Sequence, residues 1–256
     1  MKAGRSEVVT FHIAESNNSP TILPPRRSTS LSDKPIHVRT IVYDLLERLA
    51  TADDLPGPIV EFGALRVDNQ AHLPPIRSLF PGRPFSGADM SAGLGVDQLQ
   101  DLHQLGLRTE SVGTALMLDT IEHVEKPKLA LDEIRRCMAA DGVLLLTSHF
   151  FFPIHQFPSD YWRFTAQGIS ALLTDFHFSY AGEAGLRLFP HTVVGLAGGP
   201  GVTPENWRCL SQAVQDWQRE GATSWKERAL SFLPPVLVQR GYERYATATT
   251  RRTKKS

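Results

Sequence analysis

The chain has 256 residues with 27 basic and 27 acidic side chains, so it holds one sizeable domain plus appendages, and its balanced charge argues against nucleic acid or an anionic membrane as the main partner. Only Cys137 and Cys209 are present, which excludes a disulfide framework and fits a reducing cytoplasm. No apolar run approaches the ~20 residues of a membrane span, and the first residues lack a secretory pattern, so a cytoplasmic protein is expected.

Residues 1–34 mix Ser, Asn, Pro and Arg without a sustained period and are expected to form a flexible arm. Val38, Ile41, Val42, Leu45 and Leu49 then follow helical spacing, predicting an amphipathic helix over about 36–50. Ile59-Val-Glu61-Phe-Gly63-Ala64 reads as a short strand entering a glycine turn, where a residue without Cβ allows backbone to approach a ligand. Leu65-Arg66 stand where a dinucleotide fingerprint would carry further small residues. The connection from Asn69 to Phe80, broken by Pro74-Pro75, allows only a short helix.

Phe85 to Met90 predicts a second strand ending in Asp89, placed to accept both hydroxyls of a ribose; the competing reading makes Asp89 the cap of a backbone turn. Val96 to His103 is a weaker third strand with Asp101 at its end. Ala115-Leu-Met-Leu118 stops abruptly at Asp119, as a doubly buried strand does when it opens onto a polar crevice. A helix after Pro127, closed by Asp141-Gly142, and a strand Gly142–Thr147 complete a strand-helix-strand crossover. Ligands of such sheets bind outside the carboxyl ends of the strands, where loops 119–126 and 148–164 both originate.

The second of these loops is dense in aromatic and titratable groups. His155 follows Pro153 among Phe152, Phe157, Tyr161 and Trp162, a setting able to exclude water and hold an acceptor ring. A histidine of near-neutral pKa is suited to removing a hydroxyl proton, and His155 and His123 are the candidate bases; each also has a purely loop-shaping reading. His149 reads as a structural or pocket-wall group. Asp160 and Arg163 either pair to fix the loop or grip a polar substrate. Asp119, Glu122, His123 and Asp160 carry metal-capable atoms, but no spacing enforces their convergence, so no metal is expected. Downstream, Thr165 caps a helix, Phe176–Tyr180 and 186–196 supply two last strands, and helices follow Pro204 and span about 225–233 before a basic tail at 251–255.

Glu61-Phe-Gly63, Gly87-Ala-Asp89, Asp101-Leu-His103, Leu118-Asp-Thr-Ile-Glu-His-Val124 and Ala140-Asp-Gly-Val-Leu-Leu-Leu146 together resemble a class I S-adenosylmethionine-dependent methyltransferase over residues 36–200. Phe152-Pro-Ile-His-Gln-Phe-Pro-Ser-Asp-Tyr-Trp-Arg-Phe-Thr165 is similar to a loop in one branch of small methyltransferase-domain proteins. The resemblance implies a Rossmann-like α/β fold: a seven-stranded, mostly parallel sheet with one antiparallel strand, flanked by helices, over domain 35–200. The arm 1–34 precedes it and a helical extension 201–256 follows. It further implies S-adenosylmethionine as cofactor. Glu61 and Gly63 would border its methionine part, Asp89 its ribose, Met90, Asp101 and Leu102 its adenine, and Asp119 its sulfonium end. Phe152, Asp160, Tyr161, Trp162 and Arg163 are the candidate substrate contacts.

The expected reaction is therefore O-methylation of a small polar molecule, sugar-like or a secondary metabolite, with a homodimer left open. A catalytically degenerate scaffold, favoured by Leu65-Arg66, and a nicotinamide-dependent dehydrogenase, which leaves 119–124 unexplained, are the alternatives.

Overall fold

The computed structural model describes residues 38–51, 55–66, 74–155, 158–186 and 189–221. The predicted arm 1–34, the helix at 225–233, the basic tail and Phe157 lie outside these. Seven strands form one sheet in the order β3-β2-β1-β4-β5-β7-β6: β1 Ile59–Phe62, β2 Phe85–Asp89, β3 Gln98–Leu99, β4 Val112–Leu118, β5 Met138–His149, β6 Phe178–Leu186 and β7 Phe189–Gly198. Strand β7 runs antiparallel to both β5 and β6, and all other pairings are parallel. Every residue of β1 and β4 is buried, the pattern of central strands covered on both faces.

Helices α1 (Val38–Thr51) and α4 (Pro204–Gly221) cover one face, where Val42, Leu45, Leu46 and Leu49 pack in one cluster with Leu210, Val214 and Trp217. Trp217 is fully buried, and its indole N–H donates to the carbonyl of Ile41 over 3.0 Å, joining the two helices. Helices α2 (Pro127–Cys137) and α3 (Ala166–Leu172) cover the other face with Ala130, Leu131, Ile134, Cys137 and Ile169. Thr165 caps α3 as expected, accepting from the amide of Gly168. No helix among the described residues is long and apolar enough to cross a membrane. Cys137 is buried and Cys209 exposed, and neither is in a disulfide.

Three boundaries differ from those expected. Asp141-Gly142 does not close α2: the helix ends at Cys137, and Met138 already pairs with Val112. The register against β4 then shifts before Thr114 meets Val143, so the polar pair sits in an irregularity of β5. Strand β3 keeps only Gln98–Leu99 of the expected 96–103, because the chain turns at Asp101, which bridges to Gln104. Strand β6 begins at Phe178 and runs to Leu186, pairing with β7 along its length.

The strand order reverses between β1 and β4, so the loops after β1, β2, β4 and β5 leave from one edge on either side of a topological switch point. That crevice is where the sequence placed its candidate residues.

Candidate functional site

On the β1–β2 side, Gly63 adopts a left-handed backbone, φ 75°. A Cβ there would stand 2.2 Å from the Thr120 hydroxyl, so the glycine makes room for the loop after β4, a packing role the sequence did not reveal. Thr120 in turn donates to the carbonyl of Leu118 over 2.9 Å. Glu61 is buried near the end of β1. Asp89 accepts the amide of Leu65 at one oxygen (3.1 Å) and of Ser91 at the other (2.9 Å), so the turn-capping reading is realised. A carboxylate has about four acceptor positions, so two remain for a ligand. Asp97, not singled out from the sequence, clasps the amide of Gly87 (2.7 Å) and the guanidinium of Arg77.

Apolar side chains stand in the open around Asp89: Met90 is 65 % exposed, Leu94 70 % and Leu99 61 %. An exposed apolar rim beside a carboxylate with spare lone pairs fits an adenosyl group, which offers a flat ring and two ribose hydroxyls. Asp101 turns to its own loop, accepting the amide and ring nitrogen of His103 at 2.8 and 2.9 Å, and Leu102 packs against the core. The other ring nitrogen of His103 accepts the amide of Lys126 (3.3 Å), so the turn after β3 is tied to the loop after β4.

On the β4–β5 side the two informative loops meet. The amides of Tyr161 and Trp162 donate to the carbonyl of Glu122 at 2.9 and 3.2 Å, and the Trp162 indole donates to the carbonyl of Val124. His123 points Nδ1 at the carbonyl of Ser159, and its ring meets that of His155 edge-on, 4.7 Å between centroids. His149 stacks on Phe152 at 4.3 Å and lies 5.6 Å from His155. His155 therefore has His123, His149 and Phe152 around it. Burial and the neighbouring His123 and His149 push the His155 pKa down, which keeps that ring neutral near pH 7.

Asp160 is enclosed by its own loop, the first of the two arrangements its pairing with Arg163 allowed. Its side chain is only 2 % exposed; Arg163 holds both oxygens at 2.5 and 2.7 Å, and the His155 amide donates to one of them over 2.9 Å. The Arg163 hydrogen bonds hold this carboxyl well below the usual range. Arg163 also donates to the carbonyls of Pro153 and Trp162, so the pair fixes the loop. Tyr161 and Trp162 remain partly exposed, as substrate contacts must be.

Beneath this loop Asp119, at φ 48°, is clamped by Thr147: the hydroxyl donates to Oδ1 (2.8 Å), and the Asp119 amide bonds back to Thr147. Glu122 is fully buried, and burial with the charge of Asp119 pushes its pKa up to about 8. His149 faces both acids. Sequence reasoning treated His149 as pocket wall and did not reach Thr147; the pairing of Leu118 with Thr147 is what carries them to this edge.

Residues 89–146, from the end of β2 to β5, match the methyltransferase domain family model. Among curated proteins none matches the chain. Solved structures it resembles include a SAM-dependent methyltransferase from Thermotoga maritima, described as a possible histamine N-methyltransferase, at 19% identity over 63% of this chain and 93% of that one, TM-score 0.45. A Pyrococcus horikoshii protein matches at 13% identity over 63% and 91%, TM-score 0.47, and an Archaeoglobus fulgidus SAM-dependent methyltransferase at 12% over 62% and 94%, TM-score 0.47. The family match covers the segment from the end of β2 to β5 of a seven-stranded sheet with one antiparallel strand, so residues 89–146 are similar to a methyltransferase domain.

Proposed function

We propose that the protein methylates a hydroxyl oxygen of a small polar molecule, sugar-like or a secondary metabolite, in the pocket between the loops after β4 and β5. The observation that carries this reading is the gathering of His123, His149 and Phe152 around His155, at the strand ends beyond Asp119. Three imidazoles beside a methyl donor suit an acceptor that must lose a proton.

The cofactor supplies an electrophilic methyl on a positively charged sulfur. In this reading Glu61 and Gly63 border its methionine part, Asp89 takes the ribose with its two remaining acceptor positions, and Met90 and Leu99 cover the adenine, with Asp101 and Leu102 at its edge. Asp119 lies near the sulfonium. Displacement at the methyl carbon needs the acceptor oxygen in line, and orientation of that kind contributes up to ~7–11 kcal/mol. Phe152, Tyr161 and Trp162 hold the acceptor, while the Asp160–Arg163 pair keeps their loop in place.

The hydroxyl proton goes to a histidine. A carbonyl oxygen only accepts, so the contacts of His123 Nδ1 with Ser159 and of His155 Nδ1 with Pro153 assign hydrogen to Nδ1 and leave the Nε2 lone pair for the proton. His155, in the more aromatic setting, is the preferred base.

Calorimetry with S-adenosylhomocysteine tests the cofactor groove, and an acceptor screen with methyl-labelled cofactor tests the reaction. His155→Ala is expected to lower turnover about 10²–10⁴-fold with cofactor binding retained. Near-wild-type turnover in both His155→Ala and His123→Ala removes the base assignment.

A further inference from the structure

Asp119, Glu122 and His149 form a second cluster below the aromatic loop. One donor atom from each lies within 4.8 Å of the others, and their side chains are 10 %, 0 % and 10 % exposed. His149 Nε2 stands 3.8 Å from Asp119 Oδ2 and 4.0 Å from Glu122 Oε1, beyond hydrogen-bond reach of either. The oxygens of Glu122 have the loosely aligned Ser148 hydroxyl and His149 amide near them, too little to offset the burial. Two carboxyl groups enclosed in this way must either keep a proton, the direction in which burial and Asp119 push Glu122, or be joined by a cation that displaces it. Arg163 does not fill that role, because its guanidinium is spent on Asp160 and on backbone carbonyls.

We propose that Asp119, Glu122 and His149 are the ligands of a divalent first-row transition-metal ion at the floor of the acceptor pocket. The proposal rests on reading that pocket as the acceptor site. Two ligand atoms on one ion at about 2.1 Å stand roughly 3.0 Å apart when adjacent in an octahedron, so the separations of 3.8 and 4.0 Å have to shorten by about 1 Å as the side chains close on the ion. One imidazole with two carboxylates suits manganese, iron or zinc better than calcium, which takes oxygen alone. The support behind the ligands is also built: Thr147 fixes Oδ1 of Asp119 and leaves Oδ2 toward His149, the kind of outer hydrogen bond that orients a metal carboxylate. Three protein donors leave at least one position open, which an oxygen of the acceptor takes.

A rival trio, Glu122 with His123 and His155, also lies within 4.8 Å, and its Nδ1 contacts to carbonyls of the 150–164 loop leave Nε2 available, so burial is what separates the two sets. The strand-end set is the more enclosed of the two.

The test uses the full chain stripped with a chelator and titrated with Co²⁺, read by visible absorption, and with Mn²⁺, read by electron paramagnetic resonance. One ion per chain is expected, with a dissociation constant below about 100 µM. Glu122→Gln and His149→Gln should each weaken binding at least tenfold, and His123→Gln less than twofold. Absence of saturable binding to the wild-type chain overturns the proposal, as does binding that His123→Gln abolishes and His149→Gln spares. Should Glu122→Gln fail to fold, the His149→Gln comparison decides. S-adenosylhomocysteine calorimetry on the same samples separates the two readings. Cofactor binding without ion binding sinks the metal site alone, whereas saturable ion binding that needs Glu122 and His149 upholds it even if the cofactor groove proves inert.

Discussion

The indole of Trp162 donates a 2.9 Å hydrogen bond to the carbonyl of Val124, 38 residues earlier in the chain, and so fastens the loop after β5 to the loop after β4. Trp162→Phe keeps the ring area and removes this donor. Because the side chain is partly exposed, the expected loss is about 1 kcal/mol. Amide hydrogen exchange should quicken at Tyr161 and Trp162, whose N–H groups bond to Glu122. Unchanged exchange there would show that the indole does not fasten the loop.

Asp160→Asn should destabilise the protein by about 3–5 kcal/mol, since it breaks a buried pair and leaves Arg163 without its counter-charge. The sign of the pH dependence follows from the lowered carboxyl: its stabilisation is present above the unfolded value of 3.8 and is lost as pH falls through the depressed folded value. Wild type and variant should thus converge in denaturant midpoint only in strong acid.

His191 gives a test nearer neutrality. Burial first, and His149 second, lower its pKa from 6.5 to about 4. The stabilisation is full above 6.5 and falls away as pH drops toward 4, by an amount on the order of 3 kcal/mol. Urea midpoints between pH 7 and pH 4 should decline less steeply for His191→Gln than for wild type.

Glu122 works in the opposite direction. Its carboxyl, raised from 4.5 to about 8, contributes most below 4.5 and loses that contribution as pH rises through 8. In chelator, Glu122→Gln should gain on wild type as pH climbs from 5 to 9, by a few kcal/mol in order of magnitude. Parallel urea curves for the two proteins would show that the acid is more solvated than its burial indicates.

Trp217→Ala should cost ~3–5 kcal/mol, because it empties the contact between α1 and α4 and leaves the carbonyl of Ile41 without its donor. Equal thermal midpoints for wild type and variant would show that α4 is not part of the cooperative unit.

The sheet was legible because its central strands announce themselves. Ala115 to Leu118 and Val143 to Leu146 are apolar throughout and buried on both faces, so composition alone marks them. Strand β3 was overextended because a two-residue edge strand carries no period, and Asp101 turns the chain. The start of β5 was missed because Met138 to Asp141 mixes helix-compatible residues with a register shift that only the partner strand defines. At the site, the loops were recognisable from their residue types, and the direction of each side chain was not. Asp160 and Arg163 read as a loop clamp before a substrate grip, and only the bidentate pair shows how the clamp is made. His149 was set aside because its nearness to Asp119 depends on strand register and the left-handed turn after Leu118.

The amides of Leu65 and Ser91 already occupy one acceptor position on each oxygen of Asp89. A nucleoside that reaches this carboxylate joins a bonded junction between two loops, so the grip on the sugar and the stiffness of the Gly63–Arg66 bend are thermodynamically linked. If Asp89 grips the ribose as proposed, whatever loosens that bend is felt as weaker retention of the nucleoside, even when no atom touching it has changed.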